Sequence, residues 1–274
     1  MRLRVLHETA YNYEVPANRA IQTLRLTPRG HNGQFIVRWR IDIDRDCRLD
    51  SAHDPFGNLV HSFTVEGPLD CLTITAEGEI ETHDTHGVLS GQVERFPATV
   101  FLRETPLTAS DRTIRDMAAD VAARAGSDRL AVLHMLMGEI AERMRFDPKR
   151  TDPGTSATEA FAIGHGVCQD FAHVMIAASR HLGIPARYVG GYLFSEDGVS
   201  KQEAGHAWAE ALVDGLGWVG FDPANDMSPT DAYVRMAAGL DYLGAAPIRG
   251  TRYGGTGESL SVRVTVSQAG GPNR

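Results

Sequence analysis

The 274-residue sequence predicts an α+β protein, with an N-terminal antiparallel β domain followed by a core in which a helix packs on an antiparallel sheet. Three observations predict it. Short alternating apolar segments dominate before residue 105, and helical periodicity takes over from about Ser110. A glycine-rich turn, Gly164-His165-Gly166-Val167, leads into a run from Gln169 to about His181 that reads as a buried helix closed by Gly183 and Pro185. Two apolar runs, Ala207–Val213 and Trp218–Phe221, flank Asp214-Gly215-Leu216-Gly217, a strong hairpin signal.

The alternating segments are Leu3–Tyr13, Ile21–Pro28, Gln34–Asp44, Leu59–Val65 and Leu72–Thr82. Turn clusters at Pro28–Gly33 and Asp54–Asn58 separate them, the pattern of an antiparallel β domain. Phe96–Pro106 reads as a linker. Thr108 or Ser110 is placed to cap a helix ending at Ala125, and Arg129–Met144 carries Leu130, Leu133, Met137, Ile140 and Met144 on one face as a second helix. Phe146–Ala157 is a loop leading toward the glycine-rich turn, with a turn of helix at Ala157–Phe161. A last strand spans Leu260–Val266. The partition is 1–105 for the β domain, 106–266 for the core and 267–274 for a frayed tail.

Composition excludes several classes. The net charge of −8 gives no electrostatic footprint for nucleic acid. No apolar run approaches bilayer-spanning length, and the start, Met-Arg-Leu-Arg-Val-Leu-His-Glu, has no apolar signal core. The expected location is the cytoplasm. Three cysteines suit a reducing compartment, and Cys47 and Cys71 are read as reduced, half-buried thiols of the β domain.

Cys168 stands apart because it opens a helix, where unpaired backbone N–H groups and the helix dipole favour negative charge and a nucleophilic thiolate. The candidate base is His206, in Ala-Gly-His-Ala-Trp-Ala-Glu, and the candidate orienting carboxylate is Asp222, in Gly-Trp-Val-Gly-Phe-Asp-Pro. A hairpin centred near Asp214 sets His206 opposite Asp222, with Cβ atoms about 5 Å apart on one face. A slip in register would change that pairing. In this chemistry Cys168 attacks a carbonyl carbon, His206 carries the proton to the leaving amine, and Asp222 fixes the imidazole tautomer. The Cys168 backbone N–H is an oxyanion donor by position. Gln169 points away from its neighbour and is not assigned that role.

The stretches Gly-Val-Cys-Gln-Asp-Phe-Ala-His, Arg-Tyr-Val-Gly-Gly-Tyr-Leu, Gly-His-Ala-Trp-Ala-Glu and Gly-Trp-Val-Gly-Phe-Asp-Pro-Ala-Asn resemble the bacterial transglutaminase-like superfamily of cysteine proteases. The resemblance implies a papain-like α+β core and assigns Cys168, His206 and Asp222 to a catalytic triad. The stretch from Tyr11 to Asn58 resembles the β-rich region that precedes this core in bacterial members. Many such members are regarded as peptidases or amidases, so the expectation is a cysteine-dependent amide hydrolase acting on a peptide or protein amide. It needs no cofactor, nucleic acid or membrane, and the oligomeric state stays open. A protein-glutamine transglutaminase with an amine acceptor is the alternative, and a non-catalytic binding module is the third reading.

Other residues of these motifs have plainer roles open to them. His165, Cys168 and His173 lack the repeated CxxC spacing of a zinc site. Asp170 is expected to cap the helix start or hold a neighbouring loop. Trp208 shares a strand face with His206 and is expected to shield the His206–Asp222 pair from water, with plain core filling as the alternative. Tyr188, Tyr192 and Phe194 are cleft-lining candidates or core strand aromatics, and Gly190-Gly191 marks either a close substrate approach or a bulge. Ser195–Gly205 is a candidate lid, and Asn225 and Asp226 are read as turn residues.

Overall fold

The computed structural model describes residues 1–195, 201–202 and 205–269. Its elements in chain order begin with β1 (Arg2–Thr27), β2 (Gln34–Ile43), β3 (Asp50–His53), β4 (Leu59–Thr82) and β5 (Val88–Leu89). A 3-10 turn at Ala98–Leu102 leads to α1 (Arg112–Ala125), α2 (Arg129–Arg143), β6 (Arg145–Phe146), α3 (Ala157–Ile163), β7 (His165–Gly166) and α4 (Cys168–His181). Then come β8 (Ala186–Leu193), β9 (Lys201–Gln202), β10 (His206–Val213), β11 (Gly217–Phe221), β12 (Tyr233–Gly239), α5 (Tyr242–Ala245), β13 (Ile248–Tyr253) and β14 (Thr256–Gln268). No helix among the described residues is long and apolar enough to cross a membrane.

The first sheet runs β2–β4–β1–β14–β9, with β13 also on β1 and β3 also on β4. Two pairs of segments that look separate in the sequence are single long strands here. Leu3–Tyr13 and Ile21–Pro28 join as β1, and Leu59–Val65 and Leu72–Thr82 join as β4. The join is a register irregularity between Asn12 and Ala17 opposite Leu69–Cys71. Pro16 sits in that gap, where the missing N–H costs no ladder bond. Inward residues such as Leu3, Val5, Leu24, Leu72 and Ile74 are fully buried, as period-2 alternation requires.

The second sheet is antiparallel, β12–β8–β10–β11–β5. Helix α4 packs on it, and every residue from Gln169 to Arg180 is buried. A helix apolar on most sides belongs in the middle of a core. α1, α2 and α3 cover it, with Ile114, Leu133, Leu136 and Ile140 fully buried against it. The caps differ slightly from expectation. Asp111, not Thr108 or Ser110, accepts the Ile114 N–H at 2.9 Å, and Ser156 closes a capping box with Glu159 at the start of α3.

Strand pairing departs from the partition at residues 105 and 266. β13 and β14 return to β1 of the first sheet, while Val88-Leu89 from the first region joins β11 of the second. The two sheets share a buried apolar cluster of Leu3, Val5, Ile80, Tyr192, Val234, Met236, Val264 and Val266. β12 ends the second sheet, so some of its backbone groups have no strand partner there. Two buried amides from the first sheet's side supply them. Gln34 pairs both ways with the Arg235 backbone at 2.8 and 2.9 Å, and Asn58 pairs both ways with the Ala238 backbone at 2.7 and 2.8 Å.

Candidate active site

The turn before α4 is built by sterics. Gly164 takes φ 66°, the left-handed geometry that ends α3 and favours glycine. β6 and β7 then pair in parallel, Arg145 with His165 and Phe146 with Gly166. A Cβ on Gly166 would lie 2.6 Å from the Asp170 Cβ, so only glycine fits. Val167 is extended, and its N–H donates to Asp170 Oδ2 at 2.8 Å. The Thr151 hydroxyl donates to the same oxygen at 2.7 Å. Asp170 therefore does both jobs read for it, capping α4 and tying down the 146–157 loop. Its burial pushes the carboxyl group's pKa up, against those two hydrogen bonds.

Cys168 is the first residue of α4 and half-buried. Its N–H lies among those at a helix start that have no intrahelical acceptor. The Gln169 amide turns away and donates to Pro153 O at 3.2 Å. His165 Nδ1 meets Ile163 O at 2.8 Å, and His173 Nε2 accepts the Tyr242 N–H at 3.0 Å, so each ring is engaged by a backbone group away from its neighbours in the motif. Among the described residues no group of three His, Cys, Asp or Glu side chains is placed to hold a metal ion.

His206 opens β10, and Asp222 follows the last residue of β11. The ladder pairs Ala209 with Phe221 and Val213 with Gly217, which centres the hairpin on residue 215 instead of 214. Continued by one step, that ladder sets Trp208 across from Asp222. His206 is therefore diagonal to Asp222 instead of directly opposed. The reason is the turn, a loop of Asp214, Gly215 and Leu216 with positive φ at Gly215 and Gly217. The shift moves the partner by two residues, so both side chains keep one face and remain within diagonal reach. His206 Nε2 meets Asp222 Oδ2 at 2.6 Å. Asn225 Nδ2 also approaches His206 Nε2, at 3.4 Å, and Cys168 is the second titratable group that raises the ring's proton affinity.

Asp222 is fully buried and densely bonded. Its Oδ2 also accepts from Asn225 Nδ2 at 2.7 Å and the Tyr233 hydroxyl at 2.8 Å, and Oδ1 accepts from Ala224 N at 3.1 Å. A tight turn of 222–227, closed by Asp222–Met227 backbone bonds, delivers Ala224 and Asn225 to the carboxylate. Asn225 was legible only as a turn residue, and Tyr233 carried no spacing signal, because it reaches the site from β12 across the sheet. Burial by itself would raise the Asp222 pKa, but His206, Asn225 and Tyr233 outweigh it and hold the carboxyl below the usual range. Burial likewise disfavours the His206 cation. Hydrogen bonds and charge from Asp222 and Cys168 reverse this and lift the imidazole to about 10.

Aromatic rings wall the pair. Trp208 stacks near His206 at 6.3 Å between centroids, and Tyr233 lies 5.7 Å from His206 and 5.5 Å edge-on to Trp208. A Cβ on Gly191 would meet Val234 O at 2.1 Å and the Trp208 ring at 2.8 Å, so that glycine admits the tryptophan. A bulge on β12 faces Gly190-Gly191. Tyr188 packs beside His173 and Tyr242, and Tyr192 donates or accepts at His7 Nδ1 across the sheet junction at 2.8 Å. Most of the candidate lid, 196–200 and 203–204, lies outside the described residues. Between those stretches β9 pairs with β14.

Residues 115–223 match the transglutaminase-like superfamily core, and residues 3–81 match the bacterial transglutaminase-like N-terminal region. A Mycobacterium leprae protein of uncharacterized function is 30% identical over 97% of this chain and 99% of its own length. A Pseudomonas aeruginosa protein-glutamine gamma-glutamyltransferase is 29% identical over 48% of this chain and 23% of its own length. The fold matches the crystal structure of a candidate cysteine protease from Cytophaga hutchinsonii with a TM-score of 0.79, at 19% identity, covering 100% of this chain and 92% of that one.

Proposed function

Because the chain belongs to the transglutaminase-like superfamily, in the form with the bacterial N-terminal region, we propose that it is a cysteine-dependent amide hydrolase whose triad is Cys168, His206 and Asp222. The observation that supports this reading is the His206 imidazole, which meets the buried Asp222 carboxylate at 2.6 Å and on which Cys168, at the start of α4, also acts electrostatically.

The thiol proton passes to His206 Nδ1, and the sulfur attacks the carbonyl carbon of a peptide or protein amide. The oxygen becomes an oxyanion beside the Cys168 N–H at the helix start. When the C–N bond breaks, His206 returns the proton to the departing amine, leaving a thioester on Cys168. Water, deprotonated by the same imidazole, attacks the thioester and releases the acid and the thiol. Asp222 keeps the ring oriented and offsets its charge throughout. Trp208 and Tyr233 exclude water from the ion pair, which strengthens it.

A second reading is acyl transfer to an amine, favoured by the likeness to the Pseudomonas aeruginosa gamma-glutamyltransferase. The two routes share every step up to the thioester. Hydrolysis is preferred because water needs no second recognition site. The test is turnover of mixed glutamine-containing peptides with and without a fluorescent primary amine. The wild type is expected to release free acid and ammonia or a shortened peptide, with no amine incorporated. Cys168→Ala is expected to lose turnover while keeping its unfolding midpoint. Retained turnover in that variant would refute the nucleophile, and dominant amine incorporation would replace hydrolysis by transfer.

A further inference from the structure

We propose that Tyr233 is a positioning residue that holds down the basicity of His206 by donating its hydroxyl proton to the Asp222 oxygen that His206 also uses. This rests on the triad reading and adds a fourth group to it, from a different strand.

The geometry is specific. Asp222 Oδ2 receives His206 Nε2 at 2.6 Å, Asn225 Nδ2 at 2.7 Å and the Tyr233 hydroxyl at 2.8 Å. One carboxylate oxygen has two lone pairs, so three donors compete for its electron density. Each additional donor weakens the pull that Oδ2 exerts on the imidazolium. Asp222 is fully buried and Tyr233 nearly so, which leaves no bulk water to replace a lost donor. The hydroxyl is fixed as a donor, because burial and the Asp222 charge both oppose its ionisation. The charged or titratable groups acting on His206 are Asp222, beyond β11, and Cys168, on α4. Tyr233 approaches from β12, and its hydroxyl is directed at Asp222, at 2.8 Å. Its ring also holds its place mechanically, 5.5 Å from Trp208 and 5.7 Å from His206.

The two contributions separate on substitution. Tyr233→Phe keeps the ring and deletes the hydroxyl. A residue that merely fills space would leave proton affinities unchanged. A donor in competition with His206 would not: its loss strengthens the Asp222–His206 bond and raises the pH at which the imidazolium loses its proton.

The experiment is the pH dependence of Cys168 alkylation by iodoacetamide, which reads the thiolate–imidazolium pair without any substrate. In the wild type an upper limb is expected where His206 deprotonates. In Tyr233→Phe that limb is expected to move up by roughly half to one pH unit, a three- to tenfold gain in imidazole proton affinity. A limb that coincides with the wild-type one overturns the role of Tyr233 while leaving the triad standing. A wild-type profile with no imidazole-dependent limb overturns both. If the Phe variant fails to fold, the wild type decides by NMR: the Tyr233 hydroxyl proton is expected to shift as His206 titrates, and an invariant resonance overturns the proposal.

Discussion

Cys47, Cys71 and Cys168 are three free thiols of similar, intermediate exposure, so exposure alone does not rank their reactivity. Their neighbours do. Burial and the adjacent Asp46 push the Cys47 thiol pKa up, which suppresses its thiolate. Cys71 has the Arg45 guanidinium at 3.2 Å from its sulfur, a charge beside the thiol but not a base able to take its proton. Cys168 is coupled to the His206 imidazole, whose proton affinity Asp222 and Cys168 together raise against burial. An imidazole with raised proton affinity is suited to take the proton of a neighbouring thiol. Selective alkylation of Cys168 in mildly acidic solution is the expected outcome. At this scale the sequence was most informative. Cys168, His206 and Asp222 are named by motif, and the glycine at 166 is named by the turn. Tyr233 was not legible, because its contact with Asp222 depends on how β12 is laid against β8.

The hairpin of β10 and β11 shows what a strand pattern fixes and what it leaves open. Alternation fixed which side chains share a face, so His206 and Asp222 stayed together. The turn fixed the register, and its three-residue loop centres the hairpin on residue 215 instead of the expected 214, which moves each partner by two residues. β12 shows a second limit. Its unpaired edge is finished by side-chain amides far away in sequence, at Gln34 and Asn58, and no local pattern announces this. Asn58 is 4% exposed and serves both backbone groups of Ala238. Asn58→Ala would leave a buried N–H and a buried C=O unpaired, a loss of about 2–4 kcal/mol of stability. Urea unfolding measures it. A midpoint equal to the wild type would mean that β12 does not depend on this bridge. Because β12 also carries Tyr233, the same variant is expected to weaken the site before it unfolds the chain.

At the scale of the whole molecule, two sheets are joined by a shared apolar cluster and by strands that leave each region for the other. The change of period near residue 105 falls between the 3-10 turn at Ala98–Leu102 and the first α-helix, Arg112–Ala125. It does not mark where the sheets divide, because β5, β13 and β14 cross that division and long-range pairing leaves no trace in periodicity. The junction also holds His7, bonded to Tyr192 at 2.8 Å and Thr9 at 3.1 Å, and the core holds His173. Burial lowers both imidazoles from 6.5 to about 4. A group with a lowered folded-state cation affinity supports the fold fully above its unfolded value and withdraws that support as pH falls. Stability is therefore expected to drop between pH 6.5 and about 4, by up to roughly 3 kcal/mol for each of the two. Urea midpoints at about pH 7.5 and pH 5 check this, and equal midpoints would show that neither histidine stays neutral in the fold.

Side-by-side alkylation of the three cysteines by iodoacetamide at about pH 6, in the wild type and in His206→Ala, followed by peptide mass mapping, tests the proposed proton-sharing pair without knowledge of its substrate. The account predicts that Cys168 is modified at least about tenfold faster than Cys47 and Cys71 in the wild type, and that His206→Ala removes the difference. Equal, slow modification of all three thiols in the wild type would contradict it.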